Sequence, residues 1–170
     1  MIPADLEKPR YGEMFLRAIF VASSISNFNC GFALGSFGAS SKIVQLQTGW
    51  DSTVIIAITS FGILGLMIGA LITDKILPMG RIKTLFLANL IISIGIIPQM
   101  WLNAFSLCLG RLLLGFGAGV CIVAISVYNT ETIPADKLSI YGTSVNFGIV
   151  FGLLMTNFIQ VVSLPLVLDN

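Results

Sequence analysis

Apolar residues are gathered into about five long stretches along this chain, and short polar segments separate them. Each stretch reaches the roughly 20 residues that an α-helix needs to cross the hydrocarbon core of a bilayer. We therefore predict an all-α fold, a polytopic membrane bundle of about five transmembrane helices. The predicted helices cover about residues 16–38, 52–73, 84–102, 104–128 and 138–162.

The two ends of the chain differ from the apolar stretches. Residues 1–15 are polar and mixed in charge, and we expect them to form an N-terminal segment outside the bilayer. The apolar run that follows is too long for a signal peptide, so we expect it to be a retained helix. Residues 163–170 are either a C-terminal tail or the remnant of a sixth helix that is interrupted at Pro165.

The positions of the cations predict the orientation of the bundle. Most of them fall on one side of the membrane: Lys8, Arg10, Arg17, Lys75, Arg81, Lys83 and Lys137. Cytoplasmic segments of membrane proteins carry an excess of Lys and Arg. We therefore expect a multi-pass protein whose N-terminus is cytoplasmic.

The composition of the chain narrows its partners and excludes most enzyme chemistry. Hydrophobic residues make up 56% of the chain, charged residues 10%, and histidine is absent. The expected surroundings are the lipid bilayer, and the lack of a basic face excludes a nucleic-acid partner. Cys30, Cys108 and Cys121 all lie in apolar stretches. Neither a catalytic triad nor a metal site can be assembled, so we expect no enzyme, no metal and no cofactor.

A few polar side chains interrupt the apolar stretches, and Arg111 is the most unusual of them. A guanidinium in this position costs roughly 3 kcal/mol on insertion scales, so it should face protein or water rather than lipid. In the first stretch, Asn27 and Asn29 either line a cavity or serve helix packing. We expect Arg111, Asn29 and Asn146 to be sheltered by neighbouring helices around a shared aqueous hollow.

Four groups of residues resemble the motifs of a known family. They are residues 31–35 in the first helix; Asp74, Lys75, Gly80, Arg81 and Lys83 after the second; Gly110, Arg111, Gly115 and Gly117 in the fourth; and Ser126, Tyr128, Glu131 and Pro134 at its end. In this order, the groups resemble the amino-terminal half of the sugar transporter branch of the major facilitator superfamily. The resemblance covers nearly everything from the first helix to about Gln160.

The resemblance implies a hexose or polyol substrate. Such transporters hold the sugar near the bilayer midplane between two six-helix halves, which rock to expose it to each side in turn. Asn146 lies where the family commonly has a sugar-binding Gln, and Ile149 and Leu153 would share its helix face. The expected substrate-binding residues are Asn29, Asn146, Ile149 and Leu153. The alternative for Asn146 is a helix–helix hydrogen bond.

The resemblance also implies a set of gating or structural charges. These are Asp74, Arg81, Arg111 and Glu131. In the family, carboxylates and arginines at the cytoplasmic helix ends form charge-assisted bonds that break as the inner gate opens. The alternative is that Arg81 and Glu131 are ordinary interfacial charges of little energetic weight.

The sequence departs from the family pattern at informative positions. Ala33 stands where proton-driven members carry an acid, and no other acid occurs within the predicted spans. The resemblance therefore implies facilitative transport rather than proton coupling. Ile82 replaces an Arg, and Leu138 and Ser139 replace an Arg-Gly pair, so the gate network lacks two cations.

The length of the chain leaves three explanations open. About twelve crossings, as in a complete transporter of this kind, do not fit in 170 residues. In the first explanation, the chain is an N-terminal half or truncated form whose partner is the C-terminal half. Alternatively, it is a non-transporting membrane subunit or scaffold that packs against other membrane subunits, or two copies pair to rebuild a bundle.

Overall fold

The computed structural model describes residues 13–133 and 135–168. These residues form a bundle of α-helices without strands in either range. The helices are α1 (Glu13–Thr48), α2 (Ser52–Ile76), α3 (Arg81–Ile96), α4 (Ala104–Thr132) and α5 (Ala135–Leu168). A single turn of 3₁₀-helix follows α2 at Leu77–Met79, and another follows α3 at Ile97–Met100. The all-α membrane bundle predicted from the sequence is confirmed.

The first helix is longer than its apolar stretch. It extends through Thr48, although the apolar pattern ends near residue 38. The hydroxyls of Ser40, Ser41 and Thr48 donate to backbone carbonyls one turn earlier, so these polar residues are accommodated in the helix. Hydropathy identifies only the apolar part of a helix, which matches the thickness of the bilayer. The polar residues that continue α1 could therefore not be assigned to the helix from hydropathy. Residues 1–12 of the expected N-terminal segment lie outside the described residues.

The C-terminal part of the chain continues α5. This helix is continuous to Leu168, so residues 163–168 extend it rather than beginning a separate sixth helix. Asp169 and Asn170 lie outside the described residues.

Helix α4 lies at the centre of the bundle and packs closely against α2. A side chain at Gly115 would overlap the backbone carbonyl of Gly62, and one at Gly65 would overlap the carbonyl of Leu112. Small residues allow helix backbones to approach this closely, which is how membrane helices gain packing energy without a hydrophobic driving force. Gly69, one turn after Gly65, likewise lies against the backbone of Phe116, so the glycines of α2 share the side of the helix that contacts α4.

Helices α1 and α5 also approach each other closely through glycines. Gly31 lies against the backbone of Ile149, and Gly152 lies against that of Phe28. The hydroxyl of Thr156 donates to the carbonyl of Phe32 at 3.4 Å. Two close helix pairs, α2 with α4 and α1 with α5, therefore form the body of the bundle, and α3 packs on α4.

The outer surface of the bundle is apolar, as expected for contact with lipid. Three helical segments in the described part of the chain are long and apolar enough to cross a membrane: Ser52–Met79, Arg81–Met100 and Ala104–Thr132. A shorter apolar stretch, Asn146–Val162, lies within α5. Large side chains such as Phe86, Phe105 and Phe158 are exposed. The chain is an integral, multi-pass membrane protein.

Candidate functional site

Arg111 lies inside the bundle, where α1, α2 and α4 meet. Its side chain is only 5% exposed. Its Nη1 atom donates to the carbonyl of Ala33 at 3.4 Å, and its guanidinium carbon lies 4.4 Å from the centre of the Phe37 ring. From α2, Gly62 faces the arginine backbone. The Nε atom is buried and has no hydrogen-bond partner among the described residues. The cation is therefore held mainly by an aromatic face and a helix carbonyl.

Asn29 takes part in a polar contact between α1 and α3. Its Nδ2 atom donates to Oδ1 of Asn89 at 2.9 Å. Asn89 in turn donates to the hydroxyl of Ser26 at 3.3 Å and to the carbonyl of Leu85 at 2.9 Å. The sequence analysis missed Asn89, although an amide within an apolar stretch is the same signal that singled out Asn29. Hydrogen bonds of this kind hold membrane helices together.

The three predicted residues of α5 lie side by side but differ in exposure. Ile149 and Leu153 are half-buried and lie against α1, at Gly31 and Gly35. Asn146, one turn earlier, is exposed. Residues at spacings of three and four share a side of a helix, so the three form one continuous strip.

Arg111, Asn29 and Asn146 contact different neighbours in the described structure, and the hollow that they were expected to share stays a prediction. Asn29 donates to Asn89 of α3, whereas α1 contacts α5 through Gly31 and Gly35. Arg111 is enclosed between helices, and Asn146 is exposed on α5. The apolar pattern shows that polar groups need shelter, but it does not say from which neighbour the shelter comes.

The predicted gate charges Arg81 and Glu131 form an ion pair between α3 and α4. Nε of Arg81 donates to Oε2 of Glu131 at 2.6 Å, and Nη2 of Arg81 donates to Oε1. The guanidinium and carboxylate thus meet in a two-bond, fork-to-fork arrangement, which is stronger and more directional than a single bond. The two side chains are 37% and 47% exposed, so water still reaches the pair.

The turn between α2 and α3 positions Arg81. Gly80 adopts a φ of +116°, which only glycine adopts readily, and Arg81 begins α3 immediately after it. The buried hydroxyl of Thr84 lies 3.3 Å from the carbonyl of Ile76 and 3.0 Å from that of Gly80. Thr84 therefore fastens the start of α3 to the end of α2. Sequence reasoning did not identify this residue.

Two further observations concern the same end of the bundle. Asp74, the fourth predicted charge, is exposed near the end of α2. Asn129, two residues before Glu131, is buried, and the hydroxyl of Ser23 donates to its Oδ1 at 3.5 Å. This contact joins α1 to α4 beside the ion pair and was not predicted. Pro134, the last residue of the sequence motif, lies outside the described residues.

The fold and these contacts define a class of protein: a helical membrane bundle with a buried arginine and an ion-paired helix end, like one half of a transporter. The sequence model of the family described as "Sugar (and other) transporter" matches residues 15–164. The chain belongs to this family, the sugar transporter branch of the major facilitator superfamily, as its motifs predicted.

Individual relatives have names that agree with the family. Hexose transporter 1 of Plasmodium vivax is 26% identical over 149 residues, which is 79% of this chain and 29% of the relative. Hexose transporter 1 of Toxoplasma gondii is 24% identical over 156 residues, which is 81% of this chain and 28% of the relative. Myo-inositol transporter 1 of Candida albicans is 31% identical over 122 residues, which is 68% of this chain and 22% of the relative. The chain thus spans less than a third of the length of these relatives.

Proposed function

We propose that this chain supplies the amino-terminal helices of a facilitative transporter that moves a hexose or polyol by alternating access. The observation that carries the proposal is the ion pair between Arg81 and Glu131, which joins two helix ends where the family has its inner gate. A pair that remains partly hydrated can form and break as the helix ends meet and separate. The names of the hexose and inositol transporters support the class of substrate.

The proposed substrate contacts lie on α5. Asn146 offers a donor and an acceptor to a sugar hydroxyl, and Ile149 and Leu153 continue the same strip as an apolar wall for the sugar ring. Asn146 is exposed in the described structure, so it is accessible to a ligand. For Asn29, the bond to Asn89 supports a structural role beside the substrate role predicted from sequence.

The facilitative mechanism is supported by the surroundings of Arg111. In the described structure its guanidinium contacts a backbone carbonyl and an aromatic ring. A proton-coupling site needs a titratable acid that exchanges protons with water during the cycle. Ala33 occupies the position where such an acid would face Arg111, so the proposed transport runs down the sugar gradient alone.

Uptake of radiolabelled hexose or polyol into proteoliposomes that contain the full-length natural protein tests the proposal. We expect uptake that saturates and is unchanged when a pH gradient is imposed. Asn146→Ala should weaken uptake several-fold, and Asn146→Gln should retain most of it. Accumulation driven by a pH gradient would overturn the facilitative mechanism. Absence of uptake for every hexose and polyol would favour a non-transporting membrane subunit instead.

A further inference from the structure

Helix α5 has two exposed edges of different chemistry. Its contact with α1 runs through Gly148, Gly152 and Thr156, which recur at every fourth residue and therefore lie along one line. The residues on either side of this line form the two edges. Each edge is exposed in the described structure, so the side chains that it carries indicate what surrounds it.

The first edge is aromatic. Phe147, Phe151 and Phe158 are 71%, 49% and 66% exposed. Phe151 also contacts Phe28 of α1, with the ring centres 5.9 Å apart. An edge of this composition is suited to contact with lipid or an apolar helix. We call it the phenylalanine edge.

The second edge carries amides, and we call it the amide edge. It consists of Asn146, Ile149, Leu153 and Asn157, at spacings of three and four residues. Both amides are exposed, whereas the two aliphatic residues between them lie against α1. An uncompensated amide in hydrocarbon costs a few kcal/mol, so two of them on one edge indicate contact with water or a polar ligand.

Asn157 retains hydrogen-bonding capacity for such a ligand. Its Nδ2 atom donates to the carbonyl of Leu153 at 2.7 Å, which orients the side chain. A carboxamide has two N–H donors and one carbonyl acceptor, so this bond accounts for one donor. The second N–H can donate to a hydroxyl and the carbonyl oxygen can accept from one, and a sugar hydroxyl both donates and accepts.

Asn157 and Asn146 lie at different heights along the axis of the bundle, and polar contacts surround the height of Asn157. The neighbouring Thr156 donates to the carbonyl of Phe32, and Arg111 donates to the carbonyl of Ala33, the next residue of α1. Asn157 is therefore at about the same height as the buried arginine. Along α5 it is about 16 Å from Asn146, because the helix rises 1.5 Å per residue. This separation exceeds one pyranose ring.

We propose that Asn157 forms a second hydroxyl-binding subsite, which a sugar or polyol occupies on its way to or from Asn146. The amide edge is then one wall of the permeation path, and the phenylalanine edge faces away from it. The inference rests on the proposed transport function. With the N-terminus cytoplasmic, as the positions of the cations predict, α5 begins on the cytoplasmic side, so the subsite lies towards the other side of the membrane.

Initial-rate uptake by the full-length protein tests the subsite. Asn157→Leu removes the amide, Asn157→Gln keeps it, and Phe158→Leu is a matched change on the phenylalanine edge. We expect Asn157→Leu to lower kcat/KM for entry about three- to tenfold, with Asn157→Gln and Phe158→Leu close to wild type. An unchanged kcat/KM in Asn157→Leu, while the wild type transports, would overturn the subsite and leave the transport function standing.

Thiol labelling gives an independent readout that does not need a working transport cycle. Asn157→Cys and Phe158→Cys are exposed to a membrane-impermeant methanethiosulfonate in a background where Cys108 and any cysteines outside this chain are replaced by Ser, while Cys30 and Cys121 are buried. We expect Asn157→Cys to be labelled, to be protected by the transported sugar, and to react at least tenfold faster than Phe158→Cys. Equal rates, or labelling that no sugar slows, would contradict the subsite. Absence of uptake by the wild type would instead overturn the transport function.

Discussion

The guanidinium of Arg111 lies over the ring of Phe37, with 4.4 Å between its central carbon and the ring centre. Phe37 is itself 4% exposed, so the contact is shielded from water. An aromatic face attracts a cation through its quadrupole, and the attraction grows when both are desolvated. The protein thus accommodates a buried charge without an acid among the described contacts.

This contact predicts a measurable coupling between the two side chains. We expect a double-mutant cycle of Phe37→Leu and Arg111→Met to give a coupling free energy of about 1–2 kcal/mol in unfolding, measured by denaturant titration in detergent micelles. Leu keeps an apolar side chain but loses the ring face. A cycle that closes to zero would show that Phe37 packs beside Arg111 without stabilising its charge.

The ion pair between Arg81 and Glu131 predicts a charge-dependent gate. Arg81→Ala and Glu131→Gln should each lower uptake several-fold. Arg81→Ala removes both hydrogen bonds of one closed state, and Glu131→Gln removes the negative charge and one of the two acceptors. Arg81→Lys keeps the charge but not the fork, so it should fall between wild type and Arg81→Ala. Radiolabelled uptake at low and high salt provides the measurement.

A control for the gate prediction exchanges the two charges. Arg81→Glu combined with Glu131→Arg should recover part of the activity that each single charge reversal loses. If the exchange variant is as impaired as the single variants, the pair does not act through its mutual attraction. Lys83, on the same turn, offers a matched Lys→Ala change that should have little effect.

The close contact of α2 with α4 predicts a large stability effect at a single glycine. Gly115→Ala should destabilise the bundle by about 2 kcal/mol or more, because the added methyl group would overlap the carbonyl of Gly62. Gly38→Ala is the matched control, since nothing lies within 4 Å of its added methyl group. The apparent unfolding temperature in detergent should fall for Gly115→Ala and stay level or rise for Gly38→Ala.

The absence of an acid at position 33 predicts a gain of pH dependence. Ala33→Asp would place a carboxylate beside Arg111, which contacts the backbone of this residue. The deprotonated acid should pair with Arg111 and hold the bundle in one state, and protonation should release it. We therefore expect uptake by Ala33→Asp to rise as the pH falls from neutral to mildly acidic.

Ala33→Asn controls for size and polarity in this experiment, because it cannot titrate. Uptake by Ala33→Asn and by wild type should be level over the same pH range. A pH-independent Ala33→Asp variant that still folds and transports would show that residue 33 does not communicate with Arg111.

Some contacts could be predicted because they depend on residue spacing within one helix or on short sequence motifs. The glycines of α2 are spaced three and four residues apart and therefore share one side of the helix, which is the side that contacts α4. The motifs single out Arg81 and Glu131, and these two side chains form an ion pair. The bond between Asn29 and Asn89 could not be predicted, because it joins residues 60 positions apart and depends on how α1 and α3 are rotated. The same holds for the contact of Ser23 with Asn129.

By itself, the sequence determined that the chain is a helical membrane protein of the sugar transporter family. Long apolar stretches demand helices in lipid, because every backbone polar group must be paired within the segment. Only the tertiary structure decided which polar side chains meet. Phe37 and Ala33 surround Arg111, and Gly152 lies against the backbone of Phe28, because helix rotation and glycine-mediated approach set these contacts. The mean hydropathy of a segment does not depend on how its helix is rotated about its axis, so hydropathy does not indicate which side chains meet.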